Sequence, residues 1–148
     1  MTTIAFDGIT MAADSLSVDS WGLRDYLDKI WSNEYVVIGC AGELGHIRAW
    51  LRTLGKGTLV SDLLRDGYLH WHKDDNNPTI MVVDRATKAL YKSTHGHFIP
   101  TTYKFHAAGS GQDFARTAMH LGKTAREAVE IAIVFDNNSG GDIMEVKL

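Results

Sequence analysis

The chain has 148 residues, of which 45% are hydrophobic and 22% charged, and its formal net charge is −3. This size and composition predict one globular domain, residues 1–148, with its own hydrophobic core. The 15 lysines and arginines are scattered along the chain, which argues against nucleic acid as a partner. No apolar run approaches the roughly 20 residues of a membrane span. The single cysteine, Cys40, favours a reducing cytoplasm as the compartment.

The amino-terminal part of the chain is predicted to form strands. Residues 3–6 and 9–13 are β-compatible runs on either side of Asp7-Gly8, a dipeptide typical of a tight hairpin turn. Residues 14–30 are polar and are predicted to be irregular. Residues 35–42 form an apolar run that ends in small side chains, which indicates a buried strand.

The middle of the chain is predicted to form two helices and a second hairpin. Apolar residues recur at helical spacing over residues 44–54, before Gly55, and again over residues 60–71. Residues 79–83 and 89–93 are β-compatible runs separated by a polar turn, and they predict the hairpin.

The last third of the chain is predicted to alternate between strands and helices. Residues 101–108 form a strand, and Gly109-Ser110-Gly111 opens a third helix that Gly122 ends. The run Thr124-Ala125-Arg126-Glu127 is a capping box, which predicts a fourth helix to about Phe135. Residues 144–148 alternate apolar and charged side chains, as in a half-buried strand. Paired helices between groups of strands favour sheets covered by helical layers.

The extreme amino terminus is a candidate catalytic centre. Removal of Met1 would expose Thr2 as a free terminal threonine. Such a residue carries a hydroxyl nucleophile and a basic amine together. The amine has an ordinary pKa of about 7.7–8.0, so it is close to deprotonation at neutral pH. The start of the sequence therefore predicts an N-terminal nucleophile, provided that the rest of such a site is present.

Six short motifs follow one another in the order found in one family of hydrolases. They are Thr2-Thr3-Ile4, Met11-Ala12-Ala13-Asp14-Ser15, Lys29-Ile30, Gly39-Cys40-Ala41-Gly42, Gly109-Ser110-Gly111 and Asp136-Asn137-Asn138-Ser139-Gly140-Gly141. On these motifs the chain resembles the N-terminal nucleophile hydrolases of the proteasome β-subunit type, which include the bacterial heat-shock-locus peptidase HslV. The resemblance implies an α+β fold, a four-layer αββα sandwich of two stacked antiparallel sheets, shortened here at the C-terminus.

The resemblance also implies a role for each matching residue. Thr2 would be the nucleophile, Lys29 would favour its alkoxide-like form, and Asp14 would hold the lysine charged and oriented. The N–H of Gly39 would stabilise the oxyanion, where a missing side chain would also let the substrate approach. Hydrogen bonds to the terminal amine and its water would come from Ser110, Asp136 and Ser139. The substrate pocket would be lined by Val37 and Ala41.

Function and partners also follow from the resemblance. It implies a threonine-type peptidase without a cofactor or metal, acting on peptides or unfolded proteins. Relatives assemble as rings or stacked rings of identical subunits, fed by an ATP-dependent unfoldase. The alternative from another class is a non-catalytic scaffold of the same fold in which Met1 is retained, because Thr2 would then carry an amide instead of an amine.

Two pairs of histidines raise a third reading, a metal-dependent hydrolase. The pairs are His70-Trp71-His72 and His95-Gly96-His97, and Asp74 or Asp75 could add a carboxylate. On a strand, residues two apart share a face, so either pair could supply two zinc ligands. No further spacing of cysteine or histidine supports such a site, and exposed loop histidines are the simpler interpretation.

Overall fold

The computed structural model describes residues 2–42, 44–66, 78–94 and 97–148. The amino-terminal elements are β1 (Thr3–Phe6), β2 (Thr10–Asp14), β3 (Leu16–Val18), β4 (Arg24–Tyr26), β5 (Ile30–Ser32), β6 (Val36–Ala41), α1 (Leu44–Leu51) and α2 (Val60–Asp66). The carboxyl-terminal elements are β7 (Thr79–Asp84), β8 (Leu90–Thr94), β9 (His97–Pro100), β10 (His106–Gly109), α3 (Gln112–His120), α4 (Ala125–Phe135) and β11 (Ile143–Lys147).

Two antiparallel sheets form the centre of the fold. The first has the strand order β10-β1-β2-β11, and the second has the order β5-β6-β7-β8-β9. Strands β3 and β4 form a separate hairpin. Strand β1 lies inside the first sheet, between β10 and β2, so the amino-terminal residues are anchored on both sides.

Three apolar clusters hold the layers together. Side chains such as Ile4, Met11 and Met81 fill the space between the two sheets. A second cluster, rich in alanine, packs α3 and α4 against the first sheet. A third joins the outer face of the second sheet to α1 and α2, with Ile47 and Leu63 at its centre. The layers therefore run helix, sheet, sheet, helix, and the predicted α+β sandwich is confirmed.

Most predicted elements lie where the patterns indicated. The capping box is confirmed, since the Thr124 side chain accepts from the Glu127 N–H and the Glu127 carboxylate accepts from the Thr124 N–H. The first helix ends at Leu51, three residues before the predicted end, and the helix predicted over 60–71 is described only as far as Asp66.

Some predictions were wrong. The segment 14–30 is not irregular, because it holds the short hairpin β3–β4. Strands β5 and β9 were missed, and the strand predicted over 101–108 is confined to His106–Gly109. The missed strands are only 3 or 4 residues long, and β4 and β9 are largely exposed. Short exposed strands carry little of the alternation on which sequence patterns depend.

Candidate active site

Thr2 and Thr3 are buried at the start of β1. Thr2 is 4% exposed and Thr3 is completely buried. Thr3 pairs with Gly109 of β10, and Ile4 pairs with Ala13 of β2. The register of the first sheet therefore brings the amino terminus next to the residue that follows Ala13, which is Asp14.

Asp14 and Lys29 form a buried ion pair beside the amino terminus. The Lys29 Nζ atom lies 2.8 Å from Asp14 Oδ1, and the two side chains are 3% and 0% exposed. The same carboxylate oxygen accepts the N–H of Thr3 at 2.8 Å. Its other oxygen accepts the N–H of Gly140 at 2.9 Å. Asp14 thus joins β1, the lysine and the turn after α4.

The ammonium group of Lys29 is held in a largely desolvated environment. Burial lowers its pKa below the ordinary value, and the attraction and hydrogen bond of Asp14 and the more distant charge of Asp136 oppose this effect only in part. Lys29 also donates to the carbonyl oxygen of Leu16. A lysine of this kind is closer than a surface lysine to releasing its proton near neutral pH.

A second carboxylate, Asp136, accepts hydrogen bonds from hydroxyl groups on the other side of β1. Its Oδ2 atom lies 2.6 Å from Ser110 Oγ and 2.6 Å from Ser139 Oγ. Ser139 Oγ lies 2.6 Å from Thr3 Oγ1, and Ser110 Oγ lies 3.4 Å from the carbonyl oxygen of Thr2. Burial would raise the pKa of Asp136, but hydrogen bonds from Ser110, Ser139 and Asn138 outweigh it and lower the pKa. Asp136 is therefore a carboxylate at neutral pH.

Two glycines of the Gly109-Ser110-Gly111 motif make room for the amino terminus. A Cβ atom at Gly109 would overlap the carbonyl group of Thr2, and one at Gly111 would overlap the hydroxyl of Thr3. Gly109 also has a φ of +94°, which favours glycine. The motif therefore places a serine between two positions where the chain must approach β1 closely.

Solved structures of other proteins share this architecture. The structure of Thiobacillus denitrificans BPH is 20% identical, with a TM-score of 0.70, and the match covers 99% of this chain and 96% of that chain. BPH in complex with epoxomicin gives 19% identity, a TM-score of 0.71 and coverage of 99% and 97%. Eukaryotic HslV from Trypanosoma brucei gives 20% identity, a TM-score of 0.68 and 99% coverage of both chains.

The fold is that of HslV. No protein-family model matches the sequence, and no curated protein matches it in sequence. The TM-scores of 0.68–0.71 establish a common fold, and at identities of 19–20% the activity has to be argued from the site itself.

Gly39, predicted to supply an oxyanion donor, lies inside strand β6 and pairs with Met81 of β7. The N–H of Cys40 donates to the carbonyl oxygen of Lys29 at 3.0 Å, on the β5 side of β6. Successive strand residues direct their N–H groups to opposite sides, so the N–H of Gly39 faces its partner Met81 in β7. A Cβ atom at Gly39 would lie 2.8 Å from Met11 Sδ and 2.9 Å from Ile4 Cγ2. A side chain at Gly39 would therefore require the side chains of Met11 and Ile4 to shift.

The two residues predicted to line a substrate pocket differ in position. Val37 is completely buried in the cluster between the sheets, so its side chain is closed to a ligand in this structure. Ala41, at the end of β6, is 4% exposed and lies beside the position that a Cβ atom at Gly109 would occupy, 3.4 Å away. Only Ala41 of the pair is near the amino-terminal cluster.

The described residues give no support to the metal-dependent reading. Of the residues in that reading, 70, 72, 74, 75 and 95 lie outside the described residues, and His97 is the first residue of β9. Within the described ranges, no group of three His, Cys, Asp or Glu side chains is placed to hold a metal ion. Cys40 is 2% exposed, and burial raises the pKa of its thiol, which disfavours the nucleophilic thiolate. None of the described helices is long and apolar enough to cross a membrane.

Sequence reasoning missed Thr3 as a member of the site. Its hydroxyl joins the Asp136 cluster and its N–H joins Asp14. The available signal was a polar residue at the start of a short strand whose four residues are all buried. The carbonyl oxygen of Leu16 accepts a hydrogen bond from Lys29. It could not be predicted from the sequence, because every residue has a backbone carbonyl group.

Proposed function

We propose that the chain is a threonine-type peptidase or amidohydrolase in which Thr2 becomes the nucleophile once Met1 has been removed. The observation that carries this proposal is the position of β1. Its first residues lie between two buried carboxylates, Asp14 with Lys29 on one side and Asp136 with its serines on the other. The fold shared with HslV supports the same assignment.

In the proposed reaction, Thr2 Oγ1 adds to the carbonyl carbon of the substrate, and its proton passes to the terminal amine through a water molecule. The carbon–nitrogen bond then breaks, and the leaving amine takes that proton. Water hydrolyses the resulting ester and regenerates Thr2. Lys29 favours the developing alkoxide by its charge, and Asp14 fixes the position of the ammonium group. Ser110, Ser139 and Asp136 would hold the terminal amine and its water.

The proposal includes assembly into a homo-oligomeric ring or stacked rings in the cytoplasm, with an ATP-dependent unfoldase as a possible partner. Large apolar side chains are strongly exposed on the single chain, among them Trp21 at 89%, Leu121 at 76% and Val134 at 74%. Self-association would cover such groups. Enclosed sites would admit peptides and unfolded proteins. Light scattering after size-exclusion chromatography measures the assembly directly.

One observation favours the alternative, a non-catalytic scaffold. Thr2 is 4% exposed in the chain that carries Met1, so its hydroxyl is shielded from a large substrate in that form. Retention of Met1 would also leave Thr2 without its basic amine. The two functions therefore separate on whether Met1 is removed.

The test combines intact mass, turnover and an inhibitor. We expect purified protein to lack Met1, to hydrolyse fluorogenic peptides and to gain the mass of one molecule of a terminal-threonine-directed inhibitor. Epoxomicin, which is bound in one of the BPH structures, is the compound to use. Thr2→Ala should abolish turnover and the adduct, whereas Thr102→Ala, at an exposed site away from the cluster, should change neither. A chain lacking Met1 with no turnover and no adduct would refute the peptidase proposal.

A further inference from the structure

Thr3 is the residue that connects the two halves of the candidate site. It is completely buried, and it is the first residue of β1. Its backbone N–H donates to Asp14 Oδ1 at 2.8 Å. Its side-chain oxygen lies 2.6 Å from Ser139 Oγ. One residue thus touches both the Asp14–Lys29 pair and the cluster around Asp136.

The direction of the hydrogen bonds in this chain follows from the charge of Asp136. A carboxylate can only accept, so the single hydroxyl hydrogen of Ser139 points to Asp136 Oδ2, 2.6 Å away. Ser139 has no second hydrogen to offer, so Thr3 must be the donor in the contact between the two hydroxyl groups. The proton order is therefore Thr3 to Ser139 to Asp136, and each bond polarises the next.

The glycine at position 111 leaves room for the side-chain hydroxyl of Thr3. A Cβ atom at Gly111 would overlap Thr3 Oγ1, so a side chain at this position would take the space of the hydroxyl. Gly111 also precedes α3 directly, so the helix begins against the threonine side chain. The Thr3 hydroxyl therefore lies against the residue that precedes α3.

We propose that Thr3 is a positioning residue for the reaction of Thr2. Its N–H ties β1 to the carboxylate that holds Lys29, and its hydroxyl ties β1 to the carboxylate that gathers Ser110 and Ser139. The reacting hydroxyl belongs to the next residue toward the amino terminus, so a shift of Thr3 would move it relative to both groups. Misplacement by about 1 Å costs roughly 100-fold in rate. The inference rests on the proposed function of Thr2.

The test compares three threonine substitutions in the full-length protein. Thr3→Val keeps the branched shape and removes the hydroxyl, while Thr3→Ser keeps the hydroxyl. Thr10→Val removes a hydroxyl from β2 at a position outside the cluster and serves as the control. Intact mass checks that Met1 removal is equally complete in every variant. kcat and KM are measured with a fluorogenic peptide, and Tm is measured alongside.

We expect Thr3→Val to lower kcat roughly 10- to 100-fold with KM within about twofold of the native value. Thr3→Ser should keep kcat within about threefold, and Thr10→Val should match the native chain. Equal activity of Thr3→Val and the native chain would overturn the role of Thr3 and leave the role of Thr2 standing. Equal losses in Thr3→Val and Thr3→Ser would also overturn it, since retention of the hydroxyl in Thr3→Ser would then bring no benefit. A native chain no more active than Thr2→Ala would refute both proposals.

Discussion

Replacement of Asp14 by asparagine should strongly destabilise the protein, because it removes a buried charge that has three donors. The carboxylate accepts from Lys29, Thr3 N–H and Gly140 N–H, and its side chain is 0% exposed. An amide of the same shape carries no charge for Lys29. Its NH₂ group also faces at least one of these donors, which leaves that donor without an acceptor.

The magnitude follows from the burial of the pair. Lys29 is 3% exposed, so solvent screens little of the positive charge that loses its carboxylate partner Asp14. Removal of one partner from a buried pair costs about 3–5 kcal/mol, and a donor left without a partner costs about 1–3 kcal/mol. The two overlap, so we expect a loss of about 3–5 kcal/mol in the free energy of unfolding. For a domain of this size that corresponds to a fall in Tm of roughly 6–20 °C.

Urea denaturation at fixed protein concentration measures the change, since self-association would make stability depend on concentration. The surface control is Asp142→Asn, at an exposed position, which should stay within about 0.5 kcal/mol of the native chain. The double variant Asp14→Asn with Lys29→Met should be more stable than Asp14→Asn alone, because the uncompensated charge is gone. A loss below about 1 kcal/mol, or a double variant no better than the single one, would refute the reasoning.

Two further predictions concern Gly109 and Asp136. Gly109→Ala should destabilise the protein more than Gly22→Ala does. Both glycines have a positive φ, but of the two only Gly109 is so close to other backbone atoms, those of Thr2, that an added Cβ would overlap them. Equal changes in Tm for the two variants would contradict this prediction. The pKa of Asp136 is lower in the folded protein than its ordinary value of about 3.9. The charged carboxylate therefore stabilises the fold at every pH above that ordinary value, and this contribution is lost as the pH falls through the lowered pKa of the folded state. Thermal melts should therefore show Asp136→Asn less stable than the native chain at pH 7, with a gap that narrows in acid; a constant gap would show that charge is irrelevant.

The order of the longer elements could be predicted from local patterns, because the buried strands and amphipathic helices repeat apolar residues at their own periods. The hairpin β3–β4 could not, since the side chains of β4 are exposed and carry no alternation. For the site, motif order identified Asp14, Lys29, Ser110, Asp136 and Ser139 as candidates, and all of them lie around the start of β1. Their catalytic roles remain a prediction.

Three features of the site depend on contacts between distant strands. The role predicted for the N–H of Gly39 depends on which neighbouring strand that group faces, and Gly39 pairs with Met81 of β7. Val37 was assigned to a pocket, but its side chain faces the opposite sheet. Thr3 was overlooked because its partners, Asp14 and Ser139, are 11 and 136 positions away in sequence.

The amino-acid sequence by itself determined the helices and buried strands, the capping box of α4 and the identities of the charged and hydroxyl residues. Only the tertiary structure decided that Asp14 and Asp136 lie on either side of β1, and that Thr3 bonds to both clusters. The physical reason is range. Periodicity and capping act over a few residues, whereas burial of a charge and pairing of strands depend on residues that meet only after the sheets have stacked.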